Sequence, residues 1–357
     1  MSKLYRGSAT PERRIELPDS AASTCGEATD SGNSTALWTT SAGILWAGHS
    51  ERVSPITPKR IVFPPRAFTV AEARANGVSP RRLRARDLTT PFHGIRLPAG
   101  WEDGLPPAML FEERCRALTQ TLPPEAAFSH ATAATLHRLP IPLDLQDAPL
   151  HVTVPRGRRA PHRHGAIGHQ ATLSADDVDT RFGFGVTTPE RTWCDLGAVL
   201  SLAPLVAVGD RLIHRALPLT HLDRLARAVD DYGAGRGARL LRQALPMLDD
   251  GSESPMESWQ RVIIILAGLP APVTNYDVFD ERGVFVARVD LAYPELKISM
   301  DYEGDHHRTD KRQWRRDIAR FRRLKAIGWD AKRYTADDLA APDEFIAELA
   351  ASIRARS

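Results

Sequence analysis

Between residues 284 and 304 the chain reads VFVARVDLAYPELKISMDYEG, and this stretch restricts the fold more than any other. VFVARVDLAYPEL and LKISMDYEG read as two strands joined by a turn at Pro294. Alternation along the second strand sends Leu296, Ile298, Met300 and Tyr302 to one face. Lys297, Ser299, Asp301 and Glu303 go to the other. In the first strand Asp290 lies between Val289 and Leu291 and points away from that apolar pair. Pairing of the two strands brings Asp290 towards Asp301. Clustered carboxylates repel one another unless a cation lies between them. Oxygen ligands of this kind suit Mg²⁺ or Mn²⁺, so Asp290, Asp301 and Glu303 are the expected metal ligands.

The flanking segments fit around such a sheet. Ser254 and Pro255 open a helix, PMESWQRVIIILAG, which Gly268 ends. Glu257 stands three residues after Ser254, as a capping box requires, and also where a catalytic acid would stand; both roles stay open. After Gly304 come Asp305, His306, His307 and Arg308. Adjacent histidines in extended chain point opposite ways, and His307 is the expected proton carrier. A last helix from about Lys311 to Ile327 carries the apolar stripe Trp314, Ile318, Phe321 and Leu324. Asp317 falls inside that stripe, either paired with a neighbouring arginine or orienting a histidine or a water. From Asp301 to Thr335 there are eleven Lys/Arg against six Asp/Glu, an excess of five that suits a phosphate backbone. Arg308 and Arg312 are its expected contacts here.

A chain of 357 residues is long enough for two or three domains. No apolar run is long enough to span a bilayer, and no secretory signal is visible, so no membrane partner is expected. Cys25, Cys115 and Cys194 are few and far apart, which excludes a disulfide framework and points to the cytoplasm. Residues 1–57, rich in Ser, Thr, Ala and Gly, read as disordered or as a misplaced start.

In residues 58–98, Thr69 and Glu72 form a capping box and Gly77 ends that helix. Ser79 and Pro80 open a second, PRRLRARDL, and TTPFHGIRLP makes a small hairpin turning at Gly94. Helix, tight turn, basic helix and hairpin describe a winged helix-turn-helix, whose second helix would present Arg81, Arg82 and Arg84 to DNA. Residues 99–248 alternate helical and strand-like pieces, an α/β pattern. RGRRAPHRHGAIGHQ reads there as a basic loop whose His162, His164 and His169 suit phosphate contact or solvent better than metal. GAGRGARL lacks the ending of a P-loop.

The order of these features, RVDLAYPELKISMDYEGDHHR followed by RRDIARFRRLKAIGW, resembles the very-short-patch-repair endonucleases within the wider PD-(D/E)xK nucleases. The resemblance covers roughly residues 249–357. It implies a restriction-endonuclease-like α/β/α domain in which Asp290 binds metal, Asp301 is the second acid and His307 supports the chemistry. The lysine of the general pattern is replaced by Glu303. Residues 60–215 are similar to the AbiEi-type antitoxins, through FTVAEARANGVSPRRLRARDL, FSHATAATLHRLPIP and VTTPERTWCDL. That similarity implies DNA binding, repression and a separate toxin as protein partner. The expectation is therefore an α+β, multidomain protein: a metal-dependent DNA endonuclease, or an antitoxin-like repressor with an inactive nuclease-like domain. Asp290, Asp301, Glu303, His307, Glu257 and Asp317 are its candidate catalytic residues.

Overall fold

The computed structural model describes residues 34–39, 45–50, 66–146, 149–304 and 311–357; for 34–39, 45–50 and 311–316 it describes the backbone alone. Strands β1 (Ser34–Thr39) and β2 (Leu45–Ser50) pair antiparallel, with Trp38 opposite Trp46. This corrects, for these residues, the expectation of a segment without regular structure. Thr and Trp are good strand formers, and an aromatic cross-strand pair favours a hairpin.

Residues 63–357 form a second compact unit. It starts with β3 (Phe68–Thr69), α1 (Val70–Ala75), β4 (Leu88–Thr89) and β5 (Ile95–Pro98), the strands making an antiparallel sheet ordered β3-β5-β4. The capping box is formed: Glu72 N–H donates to Thr69 Oγ1 at 3.0 Å, and Thr69 N–H donates to Glu72 Oε2 at 3.2 Å. The expected second helix is not. Only one 3-10 turn, Arg82–Arg84, follows Ser79. Leu83 is its sole buried residue, so the segment lacks an apolar stripe to hold a longer helix. The Leu83 carbonyl accepts from Arg96 Nε at 2.8 Å instead of from a following turn, and Ala85 leaves in extended conformation.

Next come α2 (Pro107–Thr119), β6 (Ala127–Phe128), α3 (His130–Leu136), α4 (Leu143–Gln146), β7 (Leu150–Pro155), β8 (His162–Arg163), β9 (Ala166–Ala171), β10 (Val178–Arg181) and β11 (Phe184–Thr187). They build a mixed six-stranded sheet ordered β10-β11-β6-β7-β9-β8. The His-rich segment expected as a loop thus supplies two strands, because β9 pairs parallel with β7 through six residues of each. Its Gly168 packs against the Pro161 backbone, where a Cβ would approach to 2.5 Å.

Helices α5 (Pro189–Leu196), α6 (Leu202–Ile213), α7 (Leu222–Tyr232) and α8 (Ala238–Ala244) bury Trp193, Leu205, Leu212, Leu225 and Leu241 in one core. That core also takes Val262 from the following helix, α9 (Pro255–Leu266). A second core joins Ile95 and Leu97 of β5 to Leu118, Phe128 and Val152, so shared packing crosses the expected boundaries at 98/99 and 248/249.

After α9 come β12 (Val273–Phe279), β13 (Phe285–Tyr293), β14 (Ile298–Tyr302), α10 (Lys311–Ala326), β15 (Asp330–Tyr334), α11 (Ala336–Ala340) and α12 (Asp343–Arg356). The four strands form one sheet in sequence order, antiparallel up to β14 and parallel between β14 and β15. Leu291, Ile298, Met300 and Tyr334 pack with Ile264 and Leu349 of the flanking helices, while Ala292 and Ala331 pack with Leu324 of α10. The sheet is therefore covered on both faces. The protein is mixed α/β, and no helix among the described residues is long and apolar enough to cross a membrane.

Candidate functional site

Leu291 lies opposite Met300 in the β13–β14 ladder, and the carboxylates beside them are cross-linked through the backbone. Asp290 Oδ2 accepts from Tyr302 N–H at 2.8 Å, and Asp301 Oδ1 accepts from Asp290 N–H at 3.3 Å. Each acid thus takes a backbone donor from the other strand, which fixes the two side by side. Asp301 is buried. Burial first, then the charges of Asp301 and Glu257, push the Asp290 carboxyl up from its ordinary 3.8 to about 7.

Helix α10 closes the site from above. Asp317 and Arg320 are three residues apart and so share one helix face. Arg320 pairs with Asp301 Oδ2. Asp301, Asp290 and Asp317 outweigh burial and raise the Arg320 guanidinium further above its ordinary range. On β15, Arg333 Nη1 lies 3.8 Å from Glu303 Oε2, and its Nη2 donates to the Asp317 carbonyl at 3.0 Å. Asp290, Asp301, Glu303, Asp317, Arg320 and Arg333 line one cleft of about 170 Å³. Among the described residues, four carboxylates and two guanidiniums line it. Carboxylate oxygens are the donors that Mg²⁺ or Mn²⁺ takes. The three proposed ligands are not gathered on one point, because Asp301 turns to Arg320 and Glu303 to Arg333.

Glu257 is buried at the start of α9 but does not line this cleft. Its N–H donates to the capping Ser254 Oγ at 3.2 Å. Its carboxylate reaches Glu253 N–H at 2.8 Å rather than Ser254 N–H, and also takes Asn275 Nδ2 at 3.0 Å. The predicted capping box is therefore only half formed, and Glu257 acts on Asp290 through its charge. His307 and Arg308 lie outside the described residues, as does the side chain of Arg312. Arg320 and Arg333 were missed by sequence reasoning. Arg320 had a signal, its position three residues after Asp317 on the inner face of α10; Arg333 had none.

On the N-terminal side Arg81 and Arg84 are exposed on the 3-10 turn. Arg82 makes a two-pronged pair with Asp87, both contacts 2.7 Å. It thus braces the turn.

No family model matches the chain. Two proteins of Mycobacterium tuberculosis are each 31% identical to it over 115 residues: uncharacterized protein Rv2248 of strain ATCC 25618 / H37Rv and uncharacterized protein MT2308 of strain CDC 1551 / Oshkosh. The match takes in 32% of this chain and spans 42% of the length of those curated relatives. Among solved structures the chain has a distant similarity to the crystal structure of RV2827C protein from Mycobacterium tuberculosis. The two are 19% identical, with a TM-score of 0.35 over 60% of this chain and 84% of that one, a likeness too slight to bear on fold or function.

Proposed function

We propose that the chain is a metal-dependent DNA endonuclease with its own DNA-binding module. In this reading residues 249–357 are a restriction-endonuclease-like domain and residues 58–98 a winged helix with a shortened second helix. The observation that supports it most is the reciprocal clasp of Asp290 and Asp301, in a cleft that Glu303 and Asp317 also line. Asp290 and Asp301 would hold Mg²⁺ or Mn²⁺, with Glu303 nearby. The metal, when bound, supplies a water made more acidic and a counter-charge for the phosphate. Arg320 and Arg333 would hold phosphate oxygens, doing with two guanidiniums what a single lysine does in the general pattern. Arg320 must leave Asp301 as the cation arrives. Asp317 fixes Arg333 through its carbonyl.

A second reading rests on one observation. Glu303 stands where a lysine is expected, and an arginine already occupies Asp301. This suits a DNA-binding repressor whose nuclease-like region no longer cuts and whose protein partner is a toxin. Cleavage of supercoiled plasmid and short duplexes with Mg²⁺ or Mn²⁺ separates the two. The enzyme reading predicts nicking that vanishes in Asp290→Ala. Equal cutting by both chains contradicts the site. No cutting by either, with DNA binding intact, supports the repressor.

A further inference from the structure

Three histidines from three separate elements meet in the middle of the chain, far in sequence from the acidic cleft. His130 begins α3, His151 is on β7 and His169 is on β9, and one ring nitrogen of each lies within 4.8 Å of the others. His151 Nδ1 and His169 Nε2 are 2.9 Å apart. The His130 and His169 rings stack with centroids 3.9 Å apart. His151 is buried, and the His130 side chain is 12% exposed. His162 and His164, which share the sequence motif with His169, are exposed and stand outside the cluster.

The cluster is held by a built frame. His130 adopts a left-handed backbone, φ 50°, which a non-glycine residue takes only where its surroundings impose it. Its Nδ1 faces Ser129 Oγ at 3.0 Å, and that oxygen also accepts from Thr153 Oγ1 at 2.7 Å. His151 N–H donates to Thr132 Oγ1 at 2.7 Å. Behind His130 stands Asp195, 2% exposed. Its Oδ1 takes Arg191 Nε at 3.0 Å, but its Oδ2 has no hydrogen-bond partner and lies 3.9 Å from His130 Nδ1. A buried carboxylate oxygen without a donor is costly unless it serves a neighbouring group. A carboxylate behind a metal-binding histidine is the usual way such a ring is oriented.

We propose that His130, His151 and His169 form a three-histidine site for a divalent transition metal, zinc by ligand type, with Asp195 orienting His130. Three imidazoles suit Zn²⁺ and leave a fourth position for water or a ligand atom. Zinc–nitrogen bonds of about 2.0–2.1 Å place nitrogens roughly 3.3 Å apart in a tetrahedron. The His151–His169 pair, 2.9 Å apart, then opens slightly, and His130 moves inward. The half-buried His169 supplies an entry side.

The test uses the full chain stripped with chelator and titrated with Zn²⁺ against a chromophoric competitor. The expected result is one equivalent bound tightly, with affinity at least 100-fold weaker in His169→Gln and about 10–100-fold weaker in Asp195→Asn. The double variant His162→Gln/His164→Gln should bind as wild type. Wild-type chain loaded with Co²⁺ should show the strong visible absorption of a four-coordinate ion, a readout that does not depend on any variant folding. Absence of a stoichiometric site, a site that survives His169→Gln, or a weak six-coordinate Co²⁺ spectrum overturns the proposal.

Discussion

Replacing Asp210 by alanine should destabilise the protein by about 3–5 kcal/mol, because it strands a buried guanidinium. Asp210 is on α6 and Arg261 on α9, with side chains 1% and 4% exposed and a contact of 2.6 Å. Asp210 also accepts Asp249 N–H at 2.8 Å, while Arg261 donates to the Met247 carbonyl. Arg261 Nε already lacks a partner, so the structure has no spare acceptor to offer the freed charge. Loss of an ionised acceptor by Asp249 N–H moves the cost towards the upper end of that range. Against a total stability of about 5–15 kcal/mol this is a large fraction. Replacing both partners by apolar residues, Asp210→Leu with Arg261→Met, removes the charges together and should recover most of the loss. Urea unfolding of wild type, each single variant and the double variant gives the comparison. A loss below about 1 kcal/mol in Asp210→Ala, or a double variant no better than the singles, would refute this account of how α9 is held.

The raised Asp290 carboxyl gives a pH signature. The folded chain keeps a proton that the unfolded chain releases above 3.8, so the contribution is intact below 3.8 and lost as pH rises to about 7. Asp290→Asn should therefore gain on wild type between pH 5 and 7, by about 1.4 kcal/mol per pH unit and roughly 3 kcal/mol in all. Parallel urea unfolding at those pH values checks it; a constant gap would show that Asp290 is not perturbed. For DNA, Arg81→Ala with Arg84→Ala should weaken binding across all sequences and reduce the salt slope by about two. Fluorescence anisotropy at several salt concentrations reads this, and an unchanged slope removes the turn from the interface.

What could be read from the sequence was what local spacing encodes. The Thr69 box, the two faces of β14 and the approach of Asp290 to Asp301 all follow from periods of two or 3.6 and from capping chemistry. The second basic helix could not be judged that way, because Arg96, thirteen residues further on, takes the Leu83 carbonyl. The cleft was half legible for a similar reason: Asp290 and Asp301 lie on paired strands, but Arg333 arrives from β15. The histidine cluster shows the limit most plainly. Sequence proximity grouped His169 with His162 and His164, whereas the parallel β7–β9 pairing and the start of α3 group it with His151 and His130.

Mn²⁺ binding, followed by electron paramagnetic resonance at pH 8, shows whether the Asp290–Asp301 cleft takes a divalent cation. With the histidine cluster removed by His169→Gln, one bound Mn²⁺ is expected, and it disappears when Asp290→Ala is added. Binding that is absent from the start, or unaffected by Asp290→Ala, would contradict the proposed site.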